Sequence, residues 1–192
     1  MFNKKNWWWI ALIAVIVIVV VWVVGFYNSV INLNESVDNQ WAQVETQYQR
    51  RFDLIPNLVA SVKGVLTQEQ TIFGDIADAR TKYAGATTVN DKAGAATQVE
   101  SALARLLVIM ENYPVLKSNE TVQALMVELE GTENRISVER KRFNDVVKIY
   151  NVKIKRFPAN LLAGMFGFDV RNFFDAVEGS ETAPTVDLNV TK

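Results

Sequence analysis

An uncharged run of eighteen residues, Trp7 to Val24 (WWWIALIAVIVIVVVWVV), limits this chain more than any other feature. Extended through Gly25, Phe26 and Tyr27, it makes about 31 Å of helix, the hydrocarbon thickness of a bilayer. A backbone in lipid must satisfy its own hydrogen bonds, so the segment is expected to be helical despite its many Val and Ile residues. Trp7, Trp8 and Trp9 at one end and Trp22, Phe26 and Tyr27 at the other suit the aromatic belts of the two interfaces. A buried core helix is one competing reading and a cleaved signal peptide another. The latter needs a shorter apolar region and small residues at the cut, whereas Gly25-Phe26-Tyr27-Asn28 follows here. With no cysteine there is no lipoprotein processing. The expectation is a single uncleaved transmembrane helix over 7–27.

Its flanks set an orientation. Lys4 and Lys5 precede the run, and no Lys or Arg follows until Arg50, with Glu35 and Asp38 in between. The positive-inside rule makes 1–6 a short cytoplasmic N-terminus and places the remainder outside the plasma membrane.

Beyond the anchor the chain is long enough for one domain with a real core. Two of its 20 basic residues and none of its 21 acidic ones fall in residues 1–26, so the rest is mildly acidic. That balance gives no general pull toward nucleic acid. The absence of cysteine excludes disulfides, thiol nucleophiles and zinc–thiolate sites. The absence of histidine removes the commonest general acid/base and metal ligand, and with it Ser–His triads, H-E-x-x-H zinc sites and E-x-x-H di-iron sites. No Ca²⁺ loop and no glycine-rich phosphate loop is present. Few routes to enzyme chemistry remain. No catalytic, cofactor-binding or metal-ligating residue is assigned, and no cofactor is expected.

Helical periodicity dominates the rest. An apolar seam through Val30, Leu33, Val37, Trp41, Val44, Tyr48, Phe52, Ile55, Val59, Val62 and Leu66 advances by three or four residues. Pro56 should bend it near Phe52, whose carbonyl loses its partner. Nothing between Phe26 and Val30 breaks helix, so the anchor is expected to run on into this stalk. A second helix is expected over Gln68–Ala84, either continuous with the first or separate from it. The run GATTVND (85–91) reads as a loop, and a third helix as about Lys92–Asn112, ended by Pro114. Ser118 or Asn119 caps a long fourth helix, Glu120–Arg156. Its seam of Leu125, Leu129, Thr132, Ile136, Glu139, Phe143, Val146, Tyr150, Ile154 and Phe157 is coiled-coil-like. Pro158 stops it. A short apolar helical segment (159–178) and a flexible tail (179–192) complete the chain. The fold class is all-α: an N-terminal transmembrane helix, then an up-and-down bundle of long antiparallel helices over 28–158. It has four helices, or three if the first two are continuous.

Polar groups interrupt the seams. Arg50, Arg51 and Asp53 face the question of partners, as do Glu133, Glu139, Arg140, Asn144 and Asn151. They either pair across the bundle and fix helix register or line a pocket for a small ligand. The basic run Arg140, Lys141, Arg142, Lys148, Lys153, Lys155 and Arg156 is either a solvated face or, if the fourth helix returns to the bilayer, a membrane-facing one. In the second case the aromatic segment after Pro158 lies on the interface.

RRFDLIPNLVASVKG (50–64), ENYPVLKSN (111–119), ELEGTENRISVERKRFN (128–144) and VKIYNVKIKRFP (147–158), in this order behind a membrane helix and YNSV (27–30), resemble the LemA family. The resemblance covers nearly the whole chain except the tail. It implies a bacterial single-pass membrane protein with a bundle of long helices, and it carries over no catalytic residues. Family members include magnetosome-associated membrane proteins. Genes of the family often neighbour membrane zinc metalloproteases or TPM-domain proteins, which implies envelope maintenance. Family topologies are described with the bundle on either side of the membrane. The function expected is a non-enzymatic, self-associating scaffold or adaptor in the bacterial envelope, shaping membrane or organising partners. Those partners are the lipid bilayer, further copies of the chain, and a membrane metalloprotease or other envelope protein, with no nucleic acid. The alternative is a ligand-sensing bundle that signals through a membrane partner.

Overall fold

In the computed structural model of the protein, residues 7–174 are described. The expected N-terminus (1–6), the end of the apolar segment (175–178) and the tail (179–192) lie outside them. Every regular element among the described residues is an α-helix: α1 (Trp7–Lys63), α2 (Gln70–Gly85), α3 (Val89–Met110), α4 (Pro114–Lys117), α5 (Glu120–Lys155) and α6 (Ala159–Phe166). The all-α expectation holds. The anchor does run into the stalk, as one helix of 57 residues that continues through Pro56.

The first two helices are separate. Residues 64–69 leave helical geometry, with Val65 and Leu66 N–H both donating to the Val62 carbonyl and the Leu66 side chain folded inward. The loop expected over 85–91 shrinks to three residues. The Thr88 hydroxyl accepts from Asp91 N–H at 3.1 Å and so caps α3 at Val89, earlier than composition implied. Pro114 also differs from its expected part. Helix α3 ends at Met110, and Pro114 sits at the first position of α4, where its missing N–H costs nothing. Asn119 Oδ1 accepts from Val122 N–H at 3.1 Å and caps α5 as expected.

The chain forms two compact units. Among the described residues, one takes 7–51 with 130–173 and the other takes 52–129 with 174. The second unit is an alanine-rich helical cluster. Ile72, Ile76 and Ala79 of α2 meet Ala95, Ala96, Val99, Ala102, Leu103 and Leu106 of α3, and small side chains let these helices approach closely. Phe52 and Tyr83 meet edge to face at 4.6 Å. Helix α3 is apolar and long enough to cross a membrane, yet these buried residues make it a core helix.

The first unit is simpler. There α1 pairs antiparallel with α5, burying Val30, Val37, Trp41, Val44 and Tyr48 against Ile136, Phe143, Val147, Tyr150 and Ile154. Trp41 packs edge to face on Phe143 at 5.3 Å. From Trp7 to Trp22 the same α1 buries no side chain, and inward packing starts at Phe26. A helix apolar on every side and covered by no protein belongs in lipid.

The apolar segment after Pro158 is helical only to Phe166. Gly167 then adopts φ 73°, the left-handed conformation that favours glycine, and Phe168 N–H donates back to the Ala163 carbonyl at 2.9 Å. Residues 167–174 continue without helix, which corrects the helical expectation for that part of 159–178.

Candidate functional site

The polar residues of the α1–α5 seam face each other in the first unit, and they pair. Arg51 is 3% exposed. Its Nε donates to Thr132 Oγ1 at 3.2 Å and its Nη2 to Glu133 Oε2 at 2.5 Å. One stretch along, Arg140 Nε donates to the Tyr48 hydroxyl at 2.9 Å, its Nη2 reaches the same oxygen, and the guanidinium carbon lies 5.4 Å from the ring centre. Gln40 Nε2 donates to Glu139 Oε2 at 2.7 Å, and Arg142 Nη1 donates to the other oxygen of that carboxylate at 2.6 Å. Of the two sequence readings, these contacts match the register-fixing one. Arg51 and Glu133 are committed to each other, Arg140 to Tyr48, and Glu139 to Gln40 and Arg142.

A second cluster was not foreseen. Asn151 Nδ2 donates to the Arg171 carbonyl at 2.8 Å, while Arg171 N–H donates to Asn151 Oδ1 at 2.9 Å. This two-way bond satisfies a backbone that has left helical geometry. The Arg171 side chain then reaches α1, donating from Nε and Nη2 to Asn34 Oδ1 at 3.1 and 2.9 Å and from Nη2 to Asp38 at 2.9 Å. One arginine thus clasps α1, α5 and the segment after α6. Asn151 in an apolar seam was the available signal, but nothing in the sequence pointed it at Arg171.

Tyr150 belongs to the same clasp. Its hydroxyl donates to the Asp169 carbonyl at 3.0 Å. Burial raises its pKa above the ordinary 10.0; the Arg171 charge opposes this, while Asp169 and Asp38 add to it. The fold therefore favours the protonated phenol, and its stabilisation is complete below about pH 10, then lost as pH rises toward the raised folded value. Melts followed by circular dichroism should fall above that pH, and less so in Tyr150→Phe. Equal alkaline slopes in the two proteins would refute this assignment.

In the second unit, a polar groove between α2 and α3 is lined by Asp75, Asp78, Lys82, Gln98 and Arg105. Arg105 meets Asp75 at 3.3 Å and Lys82 meets Gln98 at 3.0 Å, all at the surface. Among the described residues no three Asp or Glu side chains converge to hold a metal ion.

The membrane-proximal end completes the picture. Tyr27, at the end of the apolar run, meets Phe166 at 5.2 Å and Phe168 at 5.7 Å. The contacts along the α1–α5 pair place Lys155 to Phe157 level with Tyr27 to Ser29. Helix α5 thus returns to the bilayer end of α1, the condition on which a membrane-facing basic run depended.

The sequence model of the LemA family matches residues 40–188. The chain belongs to the LemA family. Two relatives are magnetosome protein MamQ 1 of Paramagnetospirillum magneticum (strain AMB-1) and magnetosome protein MamQ of Magnetospirillum gryphiswaldense (strain MSR-1). Each is 27% identical to this LemA-family chain over 182 residues, covering 81% of it and 67% of the relative. The family match takes in α5, α6 and the Asn151–Arg171 part of the clasp, and it starts at Gln40, after the anchor and after Asn34 and Asp38. With its lipid-suited anchor, this LemA-family protein is membrane-associated.

Proposed function

We propose that this protein is a non-enzymatic, single-pass scaffold or adaptor of the bacterial plasma membrane. Its N-terminus lies in the cytoplasm and its helical units outside, where they self-associate and hold envelope partners, among them a membrane metalloprotease. The observation that carries this reading is α1 itself: one helix leaves the bilayer and becomes the packed stalk without a break. Such a helix fixes its unit to the membrane directly. The likeness to magnetosome proteins supports work at a membrane. Self-association is supported by the outer face of α5, where Val138, Ile149 and Val152 share one side and stand exposed. A pair of helices buries only one stripe of each, and this second stripe suits another copy.

The chain contains no cysteine, so Ile149→Cys provides one probe for both halves of the proposal. In intact cells the cysteine should react with a membrane-impermeant maleimide, and mild oxidation should join two copies covalently. Labelling only after lysis would reverse the orientation. Failure to cross-link in native membranes, together with a monomeric mass for the full chain, would end the self-association reading.

A further inference from the structure

Helix α6 is packed inside out for a helix in water. Its small residues Ala159 and Ala163 face the protein and are buried, while Leu161 and Met165 point away. The flanks repeat the pattern. Phe157 is 82% exposed and Met165 78%, and Phe166, Val170 and Phe173 stand out beside them. Six large apolar side chains within seventeen residues form a patch that a soluble surface rarely tolerates.

Three further observations say what covers it. The Phe166 and Phe168 rings touch Tyr27, so the patch sits where the transmembrane run ends. Charge is the second: Lys153, Lys155, Arg156 and Arg171 fall between residues 153 and 173, against a single acid, Asp169. Arg171 is already bound to Asp38, while Lys155 and Arg156 are exposed at the foot of α5. Third, the clasp of Asn151 and Arg171 holds the segment after α6 against the stalk, so the patch is presented by a fixed frame. Apolar side chains flanked by lysine and arginine beside a membrane helix match the acyl–headgroup boundary of an anionic bilayer.

We propose that residues 153–173 form a second membrane contact, in which α6 and its flanking aromatics lie in the bilayer interface and Lys153, Lys155 and Arg156 meet anionic headgroups. The anchor then works with a monotopic foot, and together they fix the tilt and rotation of the stalk that a lone transmembrane helix leaves free. This inference rests on the anchor and α6, and it stands or falls independently of the scaffold role.

The test uses the full chain reconstituted in vesicles of phosphatidylcholine with or without phosphatidylglycerol. A Met165→Cys variant carries an environment-sensitive fluorophore, and Thr87→Cys in the exposed α2–α3 loop carries the same label as the reference. The label at 165 should emit to the blue of the reference and be quenched by lipids bearing a nitroxide near the top of the acyl chain. Adding Lys155→Glu and Arg156→Glu should reduce that quenching in phosphatidylglycerol vesicles and leave it unchanged in phosphatidylcholine alone. Water-like, unquenched emission at 165 would overturn the proposal. So would blue emission without quenching that fades as protein is diluted in lipid, because a second copy would then cover the patch. Quenching indifferent to the charge reversal on both lipids would remove the headgroup contact.

Discussion

Replacing Ile16 and Val17 with arginine should strip the protein from alkaline-washed membranes while leaving its helical units folded. Both positions lie mid-way along the apolar run, and both side chains stand exposed, clear of the rest of the protein. An arginine at the centre of a membrane helix costs about 2.5–3.5 kcal/mol on the insertion scale, so the pair costs roughly 5–7 kcal/mol. Each Leu, Ile or Val contributes only about 0.3–0.6 kcal/mol in return, so two charges offset most of the run. The folded units should not notice, because inward packing begins only at Phe26. Sedimentation after carbonate washing reads the first effect, and a thermal melt of the released protein reads the second. Ile16→Leu with Val17→Leu is the control that should stay in the pellet. If the double arginine variant also stays there, α1 is not what holds the protein to the membrane.

Much of the fold was legible because helices announce themselves by period. Of the seam expected on α1, Val30, Val37, Trp41, Val44, Tyr48, Phe52, Ile55, Val62 and Leu66 are buried, but Leu58 takes the place expected for Val59. On α5, Val147 is likewise buried more deeply than Val146, and Phe157 at the seam's end is almost bare. A step of three or four residues leaves two neighbours competing for each inward position. The partner helix decides between them, and one sequence does not show the partner. Helix ends were harder for a related reason. Thr88 and Pro114 each have a local chemistry that starts helices, yet composition assigned them to a loop and a stop.

The site was legible only where both partners sat on long, regular helices. Arg51 and Glu133 could both be singled out in advance as candidates for pairing because each stands beside the apolar seam of a long helix. Arg171 could not, because it follows a left-handed glycine and a short helix whose path is set by packing. The same holds for the membrane charges. Counting along the chain finds Lys4 and Lys5 on one side of the anchor and no basic residue nearby on the other. Folding returns Lys153, Lys155 and Arg156 to that second side, near Tyr27. Insertion responds to charges close in sequence, whereas headgroup binding responds to charges close in space. One set of lysines thus lies beside the anchor in sequence, and another lies beside it in space.

Removing Glu133 should cost more stability than removing Arg51, although Arg51 is the buried member of the pair. The Arg51 side chain is 3% exposed, against 50% for Glu133. A buried pair is destabilised most when a charge is left inside without its counter-ion, a loss of about 3–5 kcal/mol when both partners are fully enclosed. In Glu133→Ala the guanidinium stays inside the seam and loses the carboxylate 2.5 Å away. The open side of the site admits some water, so about 2–3 kcal/mol is expected. In Arg51→Met the charge itself leaves, a side chain of similar length fills the space, and Glu133 turns to solvent. The Thr132 hydroxyl can then bond its own helix one turn back, so the net change should stay within about 1 kcal/mol. At roughly 2–4 °C per kcal/mol for a chain of this size, Glu133→Ala should melt about 4–12 °C below the parent and Arg51→Met within about 4 °C of it. Equal losses, or a larger one for Arg51→Met, would mean that the arginine holds the α1–α5 pair together by net attraction. The expected asymmetry would mean that it chiefly sets which residues of the two helices face each other.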